Sequence, residues 1–272
     1  MATTETTDED FAARPDVTVV HSDMLATVTL NRPDNLNAIT KSMWKTLGDI
    51  FRELSANPDV RCVVLRGHGT EAFSAGCDIS EFASVRSNKM QAIEYGEFMH
   101  GALDAINACP HPLVACVYGS CVGAGLEILS LCDIRLSAES GTFGAPLKSL
   151  GLVMAYPELS PLLRLVGQGT LLEILLEGRI LSSEEALGKN LVTRVIPDDL
   201  LEEELASTAR HITSGAPLAA RWHKKFVRRL LNNPAALTPA EKEECFDCFE
   251  TEDFRLGCAA FLLKDAPVFK GK

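Results

Sequence analysis

Residues 117–133 read VYGSCVGAGLEILSLCD, an apolar strand-like run that passes through Gly119, Gly123 and Gly125 into helical spacing. Small residues at such a turn leave main-chain N–H groups without intrahelical partners, and those groups point at an anion. If the helix starts near Ala124, then Ala124 and Glu127 are i and i+3 and share a face one turn apart. The Ala124 N–H and the Glu127 carboxylate then face one small volume. Gly123 and Gly125 remove side chains that would obstruct a ligand there. The neighbours Leu126, Ile128 and Leu129 give Glu127 apolar surroundings, which raise a carboxyl pKa and suit it to proton transfer near neutrality. The same glycines also serve a plain tight turn with Glu127 at the surface, so this stretch alone leaves both readings open. It is not a phosphate loop, because the GK[ST] ending is absent and no later Asp completes a dinucleotide fingerprint.

Upstream, FSAGCDISE at 73–81 has the same character, a small-residue turn between an apolar run and a helix. The strand before it is Arg61–Gly67, and Asp78 is placed to cap a short helix through Phe82. Further back, Val17–Val20 and Met24–Leu30 predict a hairpin, and Met43, Leu47, Ile50 and Leu54 predict a helix capped by Thr40 or Ser42. A long helical region is expected over Ser84–Ala108, then strands at Leu113–Val117, Asp133–Ser137 and Thr142–Gly144. The alternation of strand and helix predicts an α/β fold with a right-handed parallel arrangement covered on both faces. Beyond Gly151 helices dominate: 159–165, 170–176, 183–187 and 200–214, with one strand at Leu191–Ile196. A basic amphipathic segment, ARWHKKFVRRLL, then gives way to an acidic one, and the chain closes on a helix at Arg255–Lys264.

The chain of 272 residues has 46% hydrophobic and 23% charged residues and a net charge of -11, with 37 acidic against 26 basic side chains. That balance argues against nucleic acid or an acidic membrane as a general partner. The acidic first residues, MATTETTDED, match neither a secretory nor an Arg-rich transit signal and are expected to form a tail over 1–15. An α/β core is expected over 16–200 and a helical part over 201–272. Gly, Ser, Glu and Asp punctuate even the Leu113–Leu131 region, so no membrane span is expected. Nine cysteines, most of them inside apolar runs, fit reduced thiols of a cytoplasmic protein, and Cys245–Cys248 stands as a lone CxxC without His ligands. No metal site is expected.

LNRPDNLNAI, FSAGCDISE and VYGSCVGAGLEILSLCDIRLSAESGTFGAP, in this order, resemble the crotonase, or enoyl-CoA hydratase/isomerase, superfamily, and EGRILSSEEALGKNLVTRVIP and FETEDFRLGCAAFLLKDAPVF extend the likeness to the C-terminus. The resemblance implies a crotonase-like spiral of ββα units with a C-terminal helical trimerisation region, as a homotrimer or dimer of trimers. It implies an acyl-CoA thioester partner, with coenzyme A entering as part of the substrate and no separate cofactor. The thioester oxygen would be held by the main-chain N–H groups of Cys77 and Ala124, with Glu127 as acid or base. Cys77, Asp78, Ile79, Ser80, Ala124 and Leu147 would border the thioester and the CoA arm. Lys224, Lys225, Lys264, Lys270 and Lys272 are candidates for the CoA phosphates, although a solvated helix face or a frayed end is the better reading of them.

One departure from the family pattern bears on the reaction. Hydratases of this superfamily carry a second glutamate directly after the Phe-Gly-x-Pro turn, and here Phe143-Gly144-Ala145-Pro146 is followed by Leu147. A leucine cannot hold or deprotonate water. Glu158, Tyr156 and His100 are the candidate auxiliary groups, each also readable as a cap, a pocket wall or a satisfied core residue. Leu147 and Ala155 occupy the Trp and Asp positions of the related dehalogenases, which argues against dehalogenation. The reading is an enzyme of the enoyl-CoA hydratase type. Double-bond isomerisation or malonyl-type decarboxylation with a single glutamate is the alternative, and a scaffold or RNA-binding relative is the non-enzyme one.

Overall fold

The computed structural model describes residues 15–272; the tail expected over 1–15 lies almost wholly outside them. The chain begins with an antiparallel hairpin, β1 (Val17–Ser22) and β2 (Leu25–Leu30). Helix α1 (Lys41–Ala56) follows, with the Thr40 hydroxyl accepting from the Met43 N–H and Met43, Trp44, Leu47, Phe51 and Leu54 buried along one stripe.

From there the chain winds so that each turn lays one strand in each of two sheets. β3 (Cys62–Gly67), β5 (Leu113–Val117) and β7 (Ile134–Ala138) join the first sheet, in the order β1-β2-β3-β5-β7-β10. β4 (Ala72–Ser74), β6 (Ser120–Val122) and β8 (Thr142–Gly144) join the second, in the order β4-β6-β8-β9. β9 (Ile180–Ser182) closes the second sheet antiparallel to β8, and β10 (Arg194–Ile196) closes the first parallel to β7. β5 is buried along its whole length, as its unbroken LVACV run requires of a central parallel strand covered on both faces.

Alternate residues of these strands serve two apolar clusters. Val63 and Leu65 face the main core with α1, while Cys62 and Val64 face the second cluster with Leu201 and Leu205. Those two leucines belong to the helix over Leu201–Thr213, so the first of the C-terminal helices is part of the sheet's cover.

The helical region expected over 84–108 is broken. A single turn, α2 (Phe82–Val85), ends before α3 (Lys89–Ala108), whose N-cap Asn88 accepts from the Gln91 N–H while Ser87 binds the Gln91 side chain. Ser and Asn compete with helix continuation through such local bonds. The short helix α4 (Ala124–Ser130) follows β6. The two helices expected at 159–165 and 170–176 lie in one span, α5 (Tyr156–Leu172), whose two halves meet at a kink, and it runs into a π turn at Glu173–Glu177. By length and composition alone Tyr156–Glu177 is long and apolar enough to cross a bilayer. Its helical dihedrals break at Gly167 (φ 73°, ψ 168°), and its Leu163, Leu172 and Leu176 are exposed on the protomer.

The remaining helices are α6 (Ser183–Gly188), α7 (Leu201–Thr213), α8 (Pro217–Asn232), α9 (Pro239–Glu244) and α10 (Glu252–Leu263). Buried Asp253 accepts from the Lys270 and Gly271 N–H groups, and Arg61 donates to the Phe269 carbonyl, tying the C-terminal strap to the core. All nine cysteines are free thiols.

Candidate active site

The geometry of the second sheet sets the site. Ser74 of β4, Cys121 of β6 and Phe143 of β8 stand in register. Three residues beyond each come Cys77, Ala124 and Pro146. Cys77 and Ala124 therefore lie just past the ends of two neighbouring strands. The two turns touch: a Cβ placed on Gly76 would stand 3.6 Å from the Ala124 nitrogen and 3.7 Å from Gly123 Cα. Gly123 has φ 52° and ψ −119°, a conformation side chains do not tolerate, and from it the chain drops directly into α4.

Beside Cys77, the Ile39 N–H donates to the Gly76 carbonyl (2.7 Å) and the Asp78 N–H to the Ile39 carbonyl (2.9 Å). This pattern fixes the peptides on either side and leaves the Cys77 N–H unused. Ala124, first residue of α4, has no carbonyl one turn earlier to receive its own N–H. Neither N–H has a hydrogen-bond partner among the described residues. The structure thus brings together two unsatisfied amides from the two turns.

Asp78 does a different job. Its carboxylate accepts from the Ser80 N–H (3.0 Å) and hydroxyl (2.6 Å) and from Arg32 (2.8 Å), bonds that hold its pKa below the usual carboxylate range. It braces the Cys77 turn against the NRPDN segment. Ile79 and Ser80 stand exposed at its rim.

Glu127 is only 6% exposed, although it lies in the first turn of its helix. Burial pushes its pKa up to about 8, the charge of Glu158 adds to this, and the Arg86 guanidinium opposes it. Its Oε2 has no hydrogen-bond partner among the described residues. Glu158, 5% exposed, comes from the first turn of α5, where its Oε2 accepts from the N–H of the N-cap Ala155 at 2.7 Å. Its Oε1 pairs with His100 Nε2 of α3 at 2.9 Å. Three helices thus bring His100, Glu127 and Glu158 to one place. A cleft of about 400 Å³ bordered by Ile93, Gly96, His100 and Ala155 opens beside them.

Tyr156, a candidate proton donor or pocket wall in the sequence, is 89% exposed on the protomer. It sits at the first position of α5 with its side chain turned outward, whereas Glu158 at the third position turns in. Leu147 packs half-buried against the main core at the start of a 3-10 turn. The Cys77 thiol is pushed up to about 11, first by burial and then by the charge of Glu127, so it stays protonated. Lys224 is buried against Asp133 (2.6 Å) and the His111 carbonyl (2.5 Å), Lys225 pairs with Glu244, and Lys270 pairs with Glu252. Within the protomer, these three lysines are engaged.

Arg86 is a residue that sequence reading passed over. It lies in the break between α2 and α3, with its guanidinium 5.1 Å from the Phe82 ring centroid and 5.0 Å from that of Tyr95. The break itself, a Ser-Asn pair inside an apparent helix, was the available signal.

Comparison with known proteins places these observations. The family model for enoyl-CoA hydratase/isomerase matches residues 21–272. A Bacillus subtilis protein, YngF, named for the enoyl-CoA hydratases/isomerases, is 32% identical over 256 residues, 93% of this chain and 96% of its own. The short-chain-enoyl-CoA hydratase of Clostridium acetobutylicum is 31% identical over 241 residues, 88% of this chain and 92% of its own. A crystal structure from Magnetospirillum magneticum, described as an enoyl-CoA hydratase/carnithine racemase, superposes with a TM-score of 0.93 at 47% identity, covering 96% of this chain and 97% of that one.

Proposed function

Because this chain belongs to the enoyl-CoA hydratase/isomerase family, we propose that it adds water reversibly across the double bond of an enoyl-CoA, with Glu127 and Glu158 as its carboxylate pair. The observation that supports this reading is the meeting of two buried carboxylates from α4 and α5 beside two unpaired amides. The thioester oxygen accepts from the Cys77 and Ala124 N–H groups, which stabilise the negative charge that develops on it. Glu158, held by Ala155 and His100, takes a proton from water as the hydroxyl bonds to Cβ. Glu127, with its raised pKa, gives its proton to Cα. The missing glutamate at Leu147 is replaced, on this reading, by one arriving eleven positions later in sequence from the next helix.

A second reading is double-bond isomerisation, in which one carboxylate shuttles a proton between two carbons. The unpartnered Glu127 Oε2 and the apolar Leu147 favour it. The test is incubation with enoyl-CoA thioesters in deuterated water, followed by mass spectrometry. Water addition supports the first reading, and label incorporation with a moved double bond and no hydration supports the second. Failure to bind any acyl-CoA in calorimetry would remove both. We place the enzyme in the cytoplasm and expect it to assemble as a trimer or dimer of trimers, which sedimentation at working concentration measures.

A further inference from the structure

The break between α2 and α3 leaves a cation beside the site with nothing to neutralise it. The Arg86 side chain makes no ion pair and no hydrogen bond among the described residues, although its own N–H is fixed to the Phe82 carbonyl at 3.0 Å. Its guanidinium lies over two rings, those of Phe82 and Tyr95, 5.1 and 5.0 Å from the centroids. Such stacking holds the group in place yet leaves its N–H edges available for a planar anion.

The chain's own acids near the site do not take those edges. Both Glu158 oxygens are engaged, by Ala155 and His100. Glu127, with a pKa near 8, is mostly uncharged at neutrality. Arg86 follows the turn that carries Cys77 and stacks on Tyr95 of α3, the helix that also carries His100, so it lies next to the site's elements.

We propose that Arg86 receives an anionic substituent on the acyl arm of the substrate, so that the preferred thioesters carry a carboxylate in addition to the thioester. The assignment rests on the acyl-CoA reading above and narrows it to a substrate class. A half-buried, stacked and unpaired guanidinium binds a carboxylate in a bidentate fork that an uncharged chain cannot engage. By the same field, a trimethylammonium-bearing acyl group is disfavoured.

The test compares two saturated thioesters, butanoyl-CoA and its homologue with a terminal carboxylate, glutaryl-CoA, by calorimetry on the intact protein. Saturated acyl groups take no water, so binding is read without turnover. The carboxylate-bearing ligand is expected to bind about 10-fold or more tightly, the range of a hydrogen bond to a charged group. Arg86→Met should bring the ratio close to one, and Arg86→Lys should keep part of it. The same pair is then measured as pantetheine thioesters, which lack the nucleotide phosphates. A ratio that persists there supports the proposal; if Arg86→Met instead weakens both CoA thioesters alike and leaves both pantetheine thioesters unchanged, Arg86 reads the phosphates of CoA and the proposal is overturned. Equal binding of both ligands by the unaltered protein also overturns it, whereas no binding of either is the failure of the acyl-CoA reading itself.

Discussion

His100 Nε2 and Glu158 Oε1 lie 2.9 Å apart, joining the middle of α3 to the first turn of α5 across a separation of 58 residues. The contact gives a carboxylate on a helix end a fixed aim toward Glu127. Glu158→Gln should cut hydration by about 10²–10⁴-fold, the usual worth of a positioned general base, while acyl-CoA affinity holds. His100→Gln should lower kcat by less than Glu158→Gln, because it loosens the carboxylate without deleting it. Steady-state kinetics on both variants checks the order.

Glu127→Gln should abolish product formation and label exchange at Cα alike, since no other acid supplies that proton. Turnover at the unaltered rate would refute the assignment.

Glu127 must hold its proton in order to deliver it to Cα. As pH rises through about 8 that proton is lost, so kcat/KM for hydration should fall there. Dehydration should show the same upper limb, because the equilibrium constant for water addition involves no proton. A profile flat to pH 10 would be inconsistent with it.

Stability should carry the same signature. A carboxyl whose pKa is raised in the folded state binds more protons there than when unfolded. Its contribution is present below the ordinary glutamate pKa and is lost as pH climbs toward about 8. Thermal melting of Glu127→Gln, which cannot ionise, should gain on the parent protein steadily between pH 5 and pH 8.

The amide donors can be tested one at a time. Ala124 is the first residue of α4, the one helix position where proline fits without breaking a bond. Ala124→Pro should therefore keep the fold and lower kcat by about 10²–10³-fold, the worth of one oxyanion donor. Gly125→Ala is the steric control: its new Cβ would meet the Ser74 carbonyl oxygen at 2.9 Å and should destabilise the protein by about 1–3 kcal/mol.

Much of this was legible in the sequence because it is local. The Thr40 cap, the unbroken LVACV run and the Ala124–Glu127 spacing each follow from residues close together in the chain. The strands β4 and β9 were not legible. Each is a three-residue strand that exists because neighbouring strands offer partners. Glu158 was one of three auxiliary candidates, and nothing in AYPELS says which side chain turns inward. That is decided by the N-cap at Ala155 and by His100 on another helix. Arg86 escaped because its meaning lies in what it lacks, a partner, and a sequence does not record that.

The strand beside β6, β8, also ends in a turn of this kind. Three residues beyond its Phe143 comes Pro146, which has no N–H to offer. The row of donors is thus closed off at a pair by the covalent chemistry of a single ring. A guest presenting a single oxygen on which negative charge develops is matched by that pair of donors.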